Sequence, residues 1–350
     1  MRSFGLVLVL IGCSENEVTF HPAISSEGDG TIAGRICDPE TQTWLEGAMA
    51  YTNITDSTGL VIDTRTALSD EEGHWVLEDI PGDARYDVWV QYGNEVLDFA
   101  VVTVDSASNP VVLPDPPCFD NGDATIAVVT GGWDDLASLL PEFGFPSYTI
   151  VNGQAGDEIV EFLSNADALA EFDTLYFDGG HLEDGIFYGG NGDGTVTLIT
   201  DNLAAYVENG GRVFATDWAY DVIERVWPSQ IDFFGDDTVA DAAQTGEPGT
   251  LAATLLNPDL ELLAGDAKVD VLYDASEYPL VEATDPSVDV LMTAKAPYRV
   301  GFDVFTIPAS PLAVRFFAGD GEVVFTSWRI MSNSSSEMLP VARALVAGDI

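Results

Sequence analysis

The chain has 350 residues, enough for two domains with cores of their own, and its 46% apolar content excludes a wholly disordered polymer. Against 12 Lys and Arg stand 59 Asp and Glu, a net charge of −47, and a surface of that sign repels nucleic acid and anionic headgroups alike. Such acidity fits a protein facing saline water, where about 1 M salt screens charges beyond roughly 3 Å, or one that gathers divalent cations.

At the N-terminus Arg2 precedes an apolar run over residues 4–11. The run is far below the roughly 20 residues of a bilayer span and reads as the core of an export signal. It ends in Leu10-Ile11-Gly12-Cys13, which resembles the lipobox of bacterial lipoproteins. The resemblance implies diacylglycerol on the Cys13 thiol, cleavage before it and acylation of the new amino group, and more than one acyl chain is what stable anchoring requires. The alternative is an ordinary signal peptide with a cysteine by chance at its end. On the first reading residues 1–13 are signal and lipobox, and residues 14–30 are a polar tether. The protein is then expected in the cell envelope, lipid-anchored outside the cytoplasm, in the outer membrane of a Gram-negative bacterium from a saline habitat. Cys37 and Cys118 remain as an even pair in an oxidising compartment, predicting a disulfide across the first domain. A loop of that length is worth about 4–5 kcal/mol in the chain-entropy model.

Residues 31–118 read as short strands separated by close turns. Thr31-Ile32-Ala33-Gly34-Arg35-Ile36-Cys37 alternates, Leu45-Glu46-Gly47-Ala48 follows, and Asp70-Glu71-Glu72-Gly73-His74-Trp75 makes a tight turn into a strand. Ile80-Pro81-Gly82 breaks that strand, and alternation resumes at 86–90, 101–104 and 111–113. This order of motifs resembles the carboxypeptidase regulatory-like family, which implies a transthyretin-like (Ig-like) β-sandwich serving as a spacer or interaction module without catalytic residues. His74 reads as an outward strand residue, since no second His or Cys lies near it to complete a metal site.

From residue 123 the pattern becomes apolar strands alternating with helical stretches, the signature of a parallel sheet. The run 125–130 ends in Gly131-Gly132-Trp133, and Leu136, Leu139, Leu140 and Phe143 then carry helical spacing. A short strand at 148–151 precedes a helix marked by Ile159, Phe162, Leu163 and Leu169. The strand 174–177 ends in Asp178-Gly179-Gly180-His181. A helix through Leu203, Tyr206 and Val207 stops at Gly210-Gly211, and the strand 212–216 runs into Asp217-Trp218-Ala219-Tyr220. Residues 230–310 are irregular and predict added antiparallel strands, 322–327 is a late strand, and 334–346 a final helix. The stretches 172–180, 207–215 and 319–327 together resemble the class I glutamine amidotransferase-like fold, which implies a three-layer, flavodoxin-like α/β domain over 123–350. Active members of that family place a cysteine at the sharp turn after a central strand and a later histidine to activate it. Asp217-Trp218 stands at that turn here, Trp328-Arg329 follows the late strand, and the histidines are His21, His74 and His181. The resemblance therefore implies a domain without amidotransferase catalysis.

In a parallel sheet the three strand-end turns gather on one edge, where open α/β sheets bind ligands. Gly131, Gly132, Gly179 and Gly180 would let a ligand approach the backbone, with Trp133, Trp218 and Tyr220 as flat walls. Asp178 and Asp217 would favour cationic or hydroxyl-rich groups. The competing reading packs both tryptophans beneath loops as core. An enzymatic alternative uses Asp217 as nucleophile or acid, His181 as base and Asp178 to orient it, making a hydrolase. Residues 189–196 resemble the centre of an EF-hand loop, with Asn191, Asp193 and Gly194 at positions three, five and six. Gly189 and Thr200 would occupy positions one and twelve, so the key acids are missing and a glycine-rich loop is the preferred reading. Neither a phosphate-cradling Gly-x-x-x-x-Gly-Lys nor a Gly-x-Ser-x-Gly elbow occurs, and no cofactor is expected. The sequence thus predicts an envelope lipoprotein acting as a binding or scaffolding module. Its partner would be an envelope protein, a glycan or a small ligand, with the lipid anchor as its membrane contact. A structural surface protein is the remaining alternative.

Overall fold

The computed structural model describes residues 28, 30–37, 44–56, 60–82, 84–93, 95–104, 110–113, 125–145, 147–189, 193–274, 278–333, 335 and 337–348. Cys13, Cys118 and Asn191 lie outside the described residues, and with them the expected lipobox and the partner predicted for Cys37.

The N-terminal region is built from β1 (Gly30–Arg35), β2 (Met49–Thr55), β3 (Val61–Leu68), β4 (His74–Ile80), β5 (Ala84–Tyr92), β6 (Glu95–Val104) and β7 (Val111–Val112). They form one sheet in the order β4-β1-β7 and another in the order β3-β2-β5-β6. Period-two alternation decides what each strand buries. In β4, Trp75 and Leu77 are buried while His74 and Val76 face solvent. Ile32 from one sheet and Ala50, Ile54, Val88 and Val90 from the other join them in a single core. Gly34 is needed under Trp75, because a Cβ there would lie 2.2 Å from the indole ring. The turn into β4 closes on Asp70, whose Oδ1 accepts from the N–H groups of Glu72 (3.0 Å) and His74 (2.8 Å).

The rest of the chain forms one large mixed sheet, a separate two-stranded sheet and helices. Its elements are β8 (Ile126–Val129), α1 (Leu136–Leu139), β9 (Thr149–Val151), α2 (Gly156–Leu163), α3 (Ala166–Leu169), β10 (Thr174–Phe177), α4 (Asp193–Glu208) and β11 (Arg212–Thr216). A 3-10 turn, Asp217–Ala219, leads into α5 (Tyr220–Val226), followed by β12 (Ile231–Phe233), β13 (Thr245–Gly246), β14 (Gly249–Leu255), α6 (Pro258–Ala264) and β15 (Lys268–Tyr273). Last come β16 (Tyr278–Pro279), β17 (Val281–Thr284), β18 (Asp289–Val300), β19 (Asp303–Ala318), β20 (Gly321–Thr326) and α7 (Met338–Ala347). The strand order is β15-β14-β18-β19-β20-β11-β10-β8-β9. From β9 to β20 neighbouring strands run parallel; from β20 through β19, β18, β14 and β15 they run antiparallel. The parallel strands are apolar on both sides, as burial on both faces demands. Ile126, Val128, Tyr176, Phe214 and Val324 share a core with α1, α6 and α7. Ala127, Val129, Leu175, Phe177, Val213 and Phe325 share the opposite core with α2, α4 and α5. No helix among the described residues is long and apolar enough to cross a membrane.

The two regions meet along a backbone seam. A Cβ on Gly144 would lie 2.3 Å from Gly93 N, and one on Gly47 (φ +78°) would lie 2.8 Å from Glu142 O. The Arg343 guanidinium, buried in α7, donates to the carbonyl of Gly47. Beside that contact Met49, Leu68, Phe143 and Leu339 line a cavity of about 260 Å³.

Candidate functional site at the strand ends

The register of β8, β10 and β11 brings three turns together: Thr130–Trp133, Asp178–His181 and Thr216–Trp218. They are joined by backbone hydrogen bonds. Gly132 N donates to Gly180 O (3.0 Å) and Trp133 N to Gly179 O (3.1 Å), while Gly179 N donates to Thr216 Oγ1 (3.2 Å). The glycines serve this packing. A Cβ on Gly131 would lie 2.0 Å from Gly179 O, and one on Gly179 would lie 3.1 Å from Asp217 Cβ. Gly180, at φ +82°, lies under the Trp133 ring. The expectation that Gly131, Gly179 and Gly180 open the backbone to a ligand is corrected: the space a side chain would fill is taken by the next turn.

Three carboxyl groups lie beneath these turns. Asp217 holds φ +46° at the sharp bend between β11 and α5, a conformation that costs energy for any residue but glycine. It is 2% exposed and accepts from Arg329 Nε at 2.8 Å, yet burial outweighs that ion pair and its pKa is pushed up to about 7. Asp134 accepts from the N–H groups of Ile330 (2.9 Å), Met331 (3.2 Å) and Asp135 (3.1 Å). Burial still holds its carboxyl above the usual range, against those backbone donors and the Thr216 hydroxyl. Asp178 is buried more completely in charge terms. Its Oδ1 takes only a long bond from Leu136 N (3.4 Å), Oδ2 has no hydrogen-bond partner, and burial together with the Asp134 charge raises its pKa well above the ordinary value.

Above the acids the surface is aromatic. Trp133 is 49% exposed and meets the partly exposed Trp218 edge-on at 5.7 Å between ring centroids. The Arg329 guanidinium lies 5.9 Å from the centre of the Trp133 ring, and its Nη1 is 3.9 Å from Asp274 Oδ1. Asp217, Leu272, Tyr273, Asp274, Arg329 and Ser332 enclose a cavity of only about 10 Å³, which holds about one water. Tyr220 is no wall of this site. It is fully buried in the core with α5, its ring 4.9 Å from that of Phe233 and its hydroxyl accepting from Ala243 N (3.0 Å).

His181 also points elsewhere. It is buried between Phe177 (5.8 Å) and Phe187 (5.9 Å), with Nδ1 2.9 Å from Glu183 Oε1. The ion-pair partner of Asp217 is Arg329, and His181 faces Glu183; the Asp217–His181–Asp178 relay of the enzymatic alternative is not assembled. The EF-hand alternative, already the lesser reading, does not fit either, because α4 begins at Asp193, so that a twelve-residue loop from Gly189 would be helical from its fifth position. Sequence reasoning missed Asp134 and Arg329. Arg329 follows the late strand, where the family pattern calls for a histidine and its own charge is the signal.

No protein-family model and no curated protein matches this sequence. Among solved structures the chain is similar to a cytoplasmic protein from Salmonella typhimurium LT2 (15% identity, 65% of this chain and 99% of that one, TM-score 0.43). It is also similar to a GMP synthase subunit from Thermoplasma acidophilum (9% identity, 64% and 94%, TM-score 0.39). A glutamine amidotransferase from Thermotoga maritima matches too (8% identity, 63% and 81%, TM-score 0.39).

Proposed function

We propose that this chain is a cell-envelope lipoprotein, held by lipid at Cys13, whose α/β region is a non-catalytic binding module for a hydroxyl-rich ligand of the glycan class. The helices on both faces of the parallel strands support a three-layer, flavodoxin-like, amidotransferase-like reading of this region, and the two small sheets support a carboxypeptidase regulatory-like one for the first. The observation that carries the functional reading is Asp217. It occupies the strained elbow where a nucleophile would sit, but its carboxylate is engaged by Arg329 and the space before it holds about one water. The half-exposed face of Trp133 offers an apolar platform for the C–H face of a sugar ring, with Asp274 and Arg329 beside it to take hydroxyls.

The test is tryptophan fluorescence against a panel of envelope polysaccharides. Binding should quench emission in the natural protein and vanish in Trp133→Ala, with a Tm within about 2 °C of the parent. Turnover of ester, amide or glycoside substrates that disappears in Asp217→Asn would instead support the hydrolase, which the strained Asp217 with a pKa near 7 favours. Detergent partitioning of Cys13→Ser tests the anchor, and mass spectrometry of unreduced peptides tests the Cys37–Cys118 bond.

A further inference from the structure

A second group of acids lies apart from the strand-end site. Glu183, in the segment after β10, is 7% exposed, and Asp221, in the first turn of α5, is fully buried. Asp241, before β13, is exposed at the mouth of the group. One carboxylate oxygen from each lies within 4.8 Å of the others. Three like charges at that spacing repel one another, and no Lys or Arg among the described residues forms an ion pair with any of them. The nearby Arg225 lies over the Tyr188 ring at 5.0 Å and gives its N–H groups to the carbonyls of Phe187 and Asp237.

The observation that separates this group from an ordinary acidic surface is an unpartnered buried oxygen. Asp221 Oδ1 is bonded to the Tyr188 hydroxyl, which also contacts Glu224 Oε2; Asp221 Oδ2 is sealed from solvent and has no hydrogen-bond partner. Glu183 Oε1 likewise makes no hydrogen bond, although His181 Nδ1 approaches it to 2.9 Å. Leaving buried carboxylate oxygens unpaired is costly, and a bound cation supplies what they lack. Tyr188 fixes the Asp221 carboxylate and His181 faces that of Glu183, so the ligands are held before any ion arrives.

We propose that Glu183, Asp221 and Asp241 form a binding site for a divalent cation, and that the cation is calcium. An all-oxygen, all-carboxylate set suits hard ions rather than zinc or copper. Three carboxylates converging within 4.8 Å of one another suit calcium, which takes about six to eight oxygens in a flexible shell, whereas magnesium dehydrates reluctantly and is held by one or two carboxylates with most of its water kept. Asp241 at the surface gives the ion its way in and leaves the outer positions to water, and a chain of net charge −47 concentrates cations around it.

Calcium and magnesium titrations of the full chain in detergent, in about 1 M NaCl to saturate diffuse screening, decide the matter by calorimetry and thermal scanning. One calcium should bind per chain, and about 10 mM CaCl₂ should raise Tm by about 4 °C or more. Asp241→Asn, which tolerates the φ of +54° at that position, should weaken calcium at least tenfold with a calcium-free Tm equal to or above the parent's. The exposed Glu282→Gln should leave the calcium response intact. No heat and no Tm shift, or a shift unchanged in Asp241→Asn, would overturn the site and leave protons as what neutralises these acids. An equal response to magnesium would overturn the choice of calcium.

Discussion

Asp217 and Asp221 stand one turn apart at the start of the same helical segment, both buried and both with raised pKa values, about 7 and about 8. Their neighbourhoods differ in one respect. On the Asp217 side two of the three acids, Asp217 and Asp134, meet donors of the protein's own: Arg329, the backbone of residues 330 and 331, and the Thr216 hydroxyl. On the Asp221 side the hydrogen-bond donor is one tyrosine hydroxyl, set against three further carboxyls. A single hydroxyl has one proton, so when Tyr188 bridges Asp221 and Glu224 one of those carboxyls must itself be protonated or the pair left in repulsion. Asp217 and Asp221 themselves are buried alike. Donors hold Asp134 and Asp217 in the scaffold, while Asp221 lacks one for its second oxygen and has two more carboxyls converging on it.

The comparison breaks most readily at Asp134. Asp134→Ala leaves the N–H groups of Ile330 and Met331 without their acceptor inside the protein and should cost about 3–5 kcal/mol, lowering Tm by about 10 °C in a thermal scan. Asp221→Asn, which keeps an acceptor for Tyr188 and removes only charge, should change calcium-free stability by less than about 1 kcal/mol. Equal losses in the two variants would show that donors do not distinguish the groups.

Arg329→Leu should come next, at about 2–3 kcal/mol near pH 8 and about half that near pH 5, measured by urea unfolding. Asp217 titrates near 7, so at the lower pH it is neutral and needs its cation less. In the parent protein, held in molar salt, the strand-end acids give a smaller dependence. Asp134, Asp178 and Asp217 all have folded pKa values raised above the unfolded ones, so the folded state binds more protons between about pH 4 and 7. Their stabilisation is complete at the acid end and is lost as pH rises through 7, so Tm should fall by about 4 °C from pH 5 to pH 8. A rising curve would mean that the Arg329 pair outweighs burial. Smallest of all is Trp133→Ala, which removes a half-exposed ring and should cost less than about 1 kcal/mol.

Much of the scaffold is legible in local pattern. Trp75 and Leu77 announce a half-buried strand, and the unbroken apolar runs 126–129 and 213–215 announce strands covered on both faces. Two of the three strand-end turns are marked as well, by the glycine pairs at 131–132 and 179–180. The site's chemistry is not. Arg329 reaches Asp217 across 112 residues and Asp134 caps the chain 196 residues on, separations that no local pattern encodes. Tyr220 defeats a local reading because it is near Trp218 in sequence, whereas the turn into α5 rotates it into the core. His181 does so because Gly180, at φ +82°, redirects the chain and delivers the ring to Phe177 and Phe187.

The seam between the two regions has a mechanical consequence. At Gly47, Gly93 and Gly144 backbone approaches backbone with no side chain between them, and Arg343 hooks the Gly47 carbonyl from α7. Linked domains ordinarily swivel about their connection. Here the first region is bolted to the last helix of the chain. A load applied to the strand ends would pass through α7 and Gly47 into the first region, so the two regions should yield under tension as one body, in a single rupture.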